Sequence, residues 1–229
     1  DTDSVFVAAN KSKTESNKLG KELEDHINTF YDKYVKKNYN RTSYLELEFE
    51  KLYLALMMPA ARNGKGAAKK RYAGLIEKNN KEILEITGLE AIRGDWTEAA
   101  QDFQKELLMK VFHKKEISSF IKNYIKKILD GKLDDKLVYR KSIRKNLEEY
   151  IKTTPPHVKA ARKLPKLESN IIQYLVTTDG PEPIQQIRHK INYDHYIEKQ
   201  IKPIANQILN LFNKEFDDLI EGNKQSTLF

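Results

Sequence analysis

Glu90-Ala91-Ile92-Arg93-Gly94-Asp95-Trp96 divides this 229-residue chain into two kinds of sequence. Before it, strand-like patterns dominate; after it, apolar residues recur every three or four positions, the spacing of helices. Upstream, Val5-Phe6-Val7, the alternation Leu45-Glu46-Leu47-Glu48-Phe49 and the run 71–76 read as half-buried strands. One helix, about 15–37, interrupts them with Leu19, Leu23, Ile27, Phe30, Tyr31 and Tyr34 on one face. Asn63-Gly64-Lys65-Gly66 reads as a turn between two strands. A helix laid on strands implies an α+β layer.

Downstream, Phe103, Leu107, Leu108 and Val111 follow a Thr97 N-cap. Ile117, Phe120, Ile121, Tyr124, Ile125, Ile128 and Leu129 then form an apolar stripe closed by Gly131, with lysines opposite. Pro155-Pro156 and Pro165 punctuate a basic middle section, and 171–178 reads as a lone short strand turned by Asp179-Gly180-Pro181. A last helix is expected over 194–221, kinked at Pro203. The expected architecture is therefore α+β: antiparallel strands with a packed helix over 1–96, then a mainly helical domain over 97–229.

Lys and Arg outnumber Asp and Glu by 41 to 33, a formal charge of +8, which favours a polyanionic partner. No run of about twenty uncharged apolar residues spans a bilayer, so no membrane role is expected and the location is read as cytoplasmic. The chain has no cysteine, which excludes disulfides and thiolate-bound zinc and leaves oxygen ligands for any metal. It opens on Asp1-Thr2-Asp3-Ser4 without a methionine, and is read as beginning mid-structure.

Asp1 and Asp3, two apart, project to one side of a strand or hairpin, where hard carboxylate oxygens suit a magnesium ion; the bland alternative is a solvated turn. Lys69-Lys70-Arg71-Tyr72 places cations and a ring where a nucleic-acid backbone can be met. Tyr139-Arg140-Lys141-Ser142-Ile143-Arg144-Lys145 and the stretch 157–163 gather further cations near turns. For both, the alternative is a solvated basic face.

Taken in order, these segments resemble the C-terminal part of family B DNA polymerases. Asp1-Thr2-Asp3-Ser4 resembles the family's Tyr-Gly-Asp-Thr-Asp-Ser turn without its first two residues, Lys70-Arg71-Tyr72 its Lys-x-Tyr motif, and residues 90–96 its Glu-x-Val-Arg-Arg-Asp-Trp segment between palm and thumb. Leu137-Val138-Tyr139-Arg140-Lys141, Pro155-Pro156-His157-Val158-Lys159-Ala160-Ala161-Arg162 and Gly180-Pro181-Glu182-Pro183 look most like the bacterial polymerase II branch. The resemblance implies a partial palm over 1–96 and a thumb over 97–229. It implies that Asp3 binds two magnesium ions with Asp1 beside it, and that Lys70 and Tyr72 hold the primer end, with Lys69 a further DNA contact. Arg93, Asp95 and Trp96 would support that strand, and Arg140, Lys141, Arg144, His157 and Arg162 would grip the duplex. The substrates would be primer-template DNA and deoxynucleoside triphosphates, in a nucleoid-associated setting.

The same resemblance places the first palm carboxylate, the fingers and any exonuclease upstream of Asp1, so the isolated fragment is expected to bind duplex without extending it. Two departures stand out: Gly94 replaces a second basic residue, and the stretch 163–171 is shortened. Gln225-Ser226-Thr227-Leu228-Phe229 resembles the Gln-x-x-Leu-Phe peptide that binds the bacterial sliding clamp, with Gln225, Leu228 and Phe229 as its contacts. A noncatalytic DNA- or clamp-binding protein is the competing class, since it needs neither Asp1 nor Asp3.

Overall fold

The computed structural model describes residues 4–60, 66, 68–151 and 154–221. Its contacts divide the chain into two compact units, one of residues 1–57 and 74–85, the other of 58–73 and 86–229. The fold is α+β, as expected from the change of period.

The first unit is built on α1 (Lys13–Tyr39). A capping box starts the helix: the Glu15 N–H donates to Ser12 Oγ, and the Ser12 N–H donates back to the Glu15 carboxylate at 3.1 Å. Asn40 ends it in the left-handed region at φ 48°. Against α1 runs the segment 45–49, which is not the strand its alternation suggested. Its backbone is met by helix side chains instead: Asn28 donates to Leu47 O at 2.9 Å and accepts from Leu47 N at 2.7 Å, and Glu24 accepts from Phe49 N at 2.9 Å. One helical turn separates Glu24 from Asn28, and two extended residues separate Leu47 from Phe49, so the two repeats match at about 6 Å. Gly20 continues the row, where a Cβ would come within 2.6 Å of the Phe49 ring.

Val5-Phe6-Val7 is likewise not a strand; Val5 and Val7 are 74% and 63% exposed, and strand propensity alone does not make a strand. Phe30 and Tyr34, expected on the packed face of α1, are instead exposed and stack on each other at 5.5 Å.

β1 (Ala55–Met57), β2 (Tyr72–Lys78) and β3 (Lys81–Thr87) form a three-stranded sheet in that order. Asn79 and Asn80, at φ 54° and 56°, make the two-residue turn joining β2 to β3. Tyr53 lies on Gly74, where a Cβ would stand 2.1 Å from its ring, and donates to Glu85 at 3.0 Å.

In the second unit, α2 (Glu98–Phe112) starts at Thr97, whose hydroxyl accepts from Ala100 N. α3 (Ser118–Leu129) follows, and the expected stripe packs on α2: Phe103 meets Tyr124 at 5.0 Å and Phe120 at 5.7 Å. β4 (Tyr139–Ser142), β5 (Ile171–Thr177) and β6 (Gly180–Pro183) form an antiparallel sheet pairing Tyr139 with Tyr174 and Tyr174 with Pro183. The segment 171–177 is therefore the middle of three strands rather than a lone one. Pro181 and Pro183, which lack an N–H, sit on the edge strand where none is required.

α4 (Pro156–Ala161) precedes this sheet. The expected last helix is broken into α5 (Tyr193–Tyr196), a π-helical turn (Ile197–Ile201), α6 (Lys202–Leu209) and α7 (Phe216–Glu221). Pro203 removes an N–H from the ladder just past the π turn, and Asn213 at φ 53° reverses the chain before α7. The π turn also turns Gln200 inward, where its carbonyl oxygen accepts from Thr97 N at 3.1 Å.

Candidate nucleic-acid interface

Lys69 and Lys70 form the turn that leads into β2, both exposed, with Lys70 in the left-handed region at φ 56°. Close approach of backbone to backbone holds the turn: a Cβ on Gly88 would fall 2.1 Å from Lys70 O, and Gly88 itself has φ 63°. Tyr72 is half-buried at the start of β2.

The next residue in that run, Arg71, points inward and pairs with the buried carboxylate of Glu90. Glu90 also accepts from Gln104 of α2 at 2.9 Å and from Gln207 of α6 at 3.2 Å. Burial pushes this carboxyl up, but the Gln104 amide, the Arg71 charge and the Gln207 amide together hold it below the ordinary value. Gln104 is occupied at its other end by Ala91 N, at 2.6 Å.

Beyond Glu90, Arg93 and Asp95 form a two-pronged exposed pair, Nε to Oδ1 at 3.0 Å and Nη2 to Oδ2 at 2.9 Å. The Arg93 bonds hold the Asp95 carboxyl down, and the charge of Lys141 adds to the effect. Lys141 lies on the same face of β4 as Tyr139, while Arg140, exposed, alternates to the other. His157, on α4, is depressed first by burial and then by the same Lys141. The charge of Lys141, on β4, is thus felt by groups of the junction segment and of α4.

Tyr150 organises the remaining expected contacts. Its ring meets His157 edge-on at 6.5 Å, its hydroxyl accepts from Arg144 N at 3.3 Å, and its carbonyl accepts from Arg162 at 3.3 Å. Arg162 also donates to Leu147 O at 2.7 Å, so its guanidinium is engaged in holding the loop before α4. Asp1, Asp3, Gln225, Leu228 and Phe229 lie outside the described residues.

Among the described residues, one grouping has metal-ligand types within reach of one another: Asp179, Glu182 and His189. It does not suit a cation. Glu182 accepts from Arg188 N at 2.8 Å, from His189 N at 3.2 Å and from His189 Nδ1 at 2.6 Å, with Lys163 at 3.5 Å. Burial pushes Glu182 up, but these N–H groups hold it at about 2. The magnesium expectation therefore rests on Asp1 and Asp3, whose all-carboxylate donor set fits a hard divalent ion.

Sequence reasoning singled out the cations but gave no role to Glu90, Gln104, Gln207 or Tyr150. A glutamate and two glutamines on otherwise apolar faces were the available signal.

The family model for DNA polymerase family B matches residues 1–212. DNA polymerase II of Escherichia coli (strain K12) is 38% identical over 97% of this chain and 30% of its own length. DNA polymerase 2 of Aeropyrum pernix is 29% identical over 100% of this chain and 27% of its own. The family B DNA polymerase from the hyperthermophilic archaeon Pyrobaculum calidifontis is similar in structure, with a TM-score of 0.56 at 25% identity over 77% of this chain and 23% of that one. The chain spans less than a third of the length of each of these relatives.

Proposed function

The chain belongs to DNA polymerase family B, and on that premise we propose that it is the palm-to-thumb part of a template-directed DNA polymerase. The observation that carries this reading is the two-pronged pair of Arg93 and Asp95 in the junction segment, with the charge of Lys141 on β4 felt by both Asp95 and His157. Cationic and protonatable side chains near an exposed surface segment suit a phosphate backbone, whose contacts position a protein without reading sequence.

In the proposed reaction the primer 3′-hydroxyl attacks the α-phosphate of a deoxynucleoside triphosphate, forming a phosphodiester bond as pyrophosphate leaves. Magnesium ions, held by Asp3 with Asp1 beside it and a carboxylate from elsewhere, supply charge stabilisation when bound. The described residues act by position. Lys69, Lys70 and Tyr72 hold the primer end, Arg93 and Asp95 hold its backbone, and Lys141, Arg140, Arg144 and His157 hold the duplex behind it. Such placement matters because a small misalignment of the hydroxyl loses large factors in rate.

Gln225, Leu228 and Phe229 are proposed to bind a sliding clamp, which multiplies a modest peptide affinity by the enzyme's own hold on DNA. No helix among the described residues is long and apolar enough to cross a membrane, and the proposed setting is the nucleoid. The full-length polypeptide carrying this chain should extend a primer by the base its template dictates. Failure to do so with all four triphosphates and magnesium, while duplex binding persists, would favour a noncatalytic binder. Removal of residues 225–229 should shorten products only when clamp is loaded.

A further inference from the structure

We propose that Glu90 is a positioning residue for the primer strand, a role that rests on the polymerase reading above. Its carboxylate, on a side chain 5% exposed, is the point at which three separate parts of the second unit meet: Arg71 of the basic turn, Gln104 of α2 and Gln207 of α6. Arg71 lies between Lys70 and Tyr72, and Glu90 lies three residues before Arg93, so one buried group ties together the two segments assigned to the primer.

The chemistry of the hub concentrates its strength on Glu90. Arg71 Nε and Gln207 Oε1 are buried without a partner among the described residues, so the guanidinium depends on Glu90 for its counter-charge. Taking away that carboxylate leaves a part-buried cation uncompensated, and Arg71 must swing toward water. Lys70 and Tyr72 flank it in the chain and move with it. An apolar pair of similar volume would fill the same space without fixing the direction of the turn, whereas a charged, multiply bonded carboxylate accepts its partners only in narrow geometry.

The test uses the full-length polymerase that carries this chain, unsubstituted and as Glu90→Gln, Arg71→Met, the double variant and Tyr124→Phe. The last removes a buried hydrogen bond, Tyr124 to Ala99 O at 2.8 Å, from helices that carry none of the proposed primer contacts. Single-nucleotide addition is followed in rapid quench, and a primer ending in 2-aminopurine reports how its terminus is seated.

Glu90→Gln is expected to slow addition at saturating triphosphate by about tenfold or more, with duplex Kd changed by less than about twofold. The double variant should be no slower than the slower single, because the two residues act as one unit. Fluorescence of the terminal base should change in both singles, while Tyr124→Phe, at a similar loss of Tm, extends normally. Should Glu90→Gln not fold, Arg71→Met carries the same comparison.

Normal addition by the variants overturns the inference, as do additive losses in the double variant or an equal slowing in Tyr124→Phe. No extension by the unsubstituted protein overturns the polymerase reading itself, and this inference with it.

Discussion

Arg71 donates to the buried carboxylate of Glu90, so the basic turn at 69–72 and the junction segment at 90–96 are held as one piece. Lys69 and Lys70, just before Arg71, stay at the surface while Arg71 reaches the buried carboxylate. The left-handed turn at Lys70 accomplishes this, since it redirects the chain between the exposed lysines and Arg71.

Gly88 is the steric counterpart of that ion pair. A Cβ there would fall 2.1 Å from Lys70 O, and the residue's φ of 63° already disfavours any side chain. Gly88→Ala should cost about 2 kcal/mol of stability and slow primer extension by the full-length protein. Urea unfolding and an extension assay check both; an unchanged midpoint would show that the turn yields freely.

Gly94 is the opposite case. It is exposed, and a Cβ would meet nothing within 4 Å. Gly94→Arg should restore the second cation of the family pattern, tighten duplex binding and steepen the dependence of log Kd on log salt by about 0.9. Anisotropy titrations at several salt concentrations measure that slope.

Two half-buried histidines make stability depend on acid pH. Burial, reinforced by Lys141, depresses His157, and burial with Lys199 depresses His195, from the ordinary value of 6.5. The unfolded chain therefore takes up protons first, so stability is full above about pH 6.5 and is lost as pH falls through the lower folded values. Tm should be level above neutrality and fall below it. Replacing Lys141 by Gln should raise the His157 titration seen by NMR; no movement would separate the two residues.

Much of the helical part was legible because burial and periodicity coincide. Thr97, Phe103, Leu107, Ile121, Tyr124 and Ile128 stand where their spacing put them, since each side chain answers to one helix face. The strands were read less well. Segment 45–49 alternates like a strand yet pairs with Glu24 and Asn28, because side-chain oxygens and amides satisfy a backbone as well as another strand does. β4 went unseen because Arg140 and Lys141 are polar, and β3 because the Asn79-Asn80 turn was passed over. At the site, the exposed cations announce themselves by composition, whereas Glu90 and Gln207, far apart in sequence, meet only in the folded chain.

Asn28 tests the side-chain-for-strand substitution directly. Asn28→Ala leaves both Leu47 N and Leu47 O without their partner, and should cost about 1–2 kcal/mol. Hydrogen exchange at the Leu47 amide should accelerate beyond that of its neighbours; a uniform response would mean that the bonds are not what holds the segment.

The central claim is that this chain serves primer extension, with Asp3 holding catalytic metal. The most direct measurement compares the full-length polypeptide with its Asp3→Asn variant on one primer-template in magnesium, with duplex binding measured alongside. Extension lost with binding retained is the expected result. Extension that survives the substitution would contradict the assignment of Asp3, and absence of extension in both proteins would contradict the polymerase reading altogether.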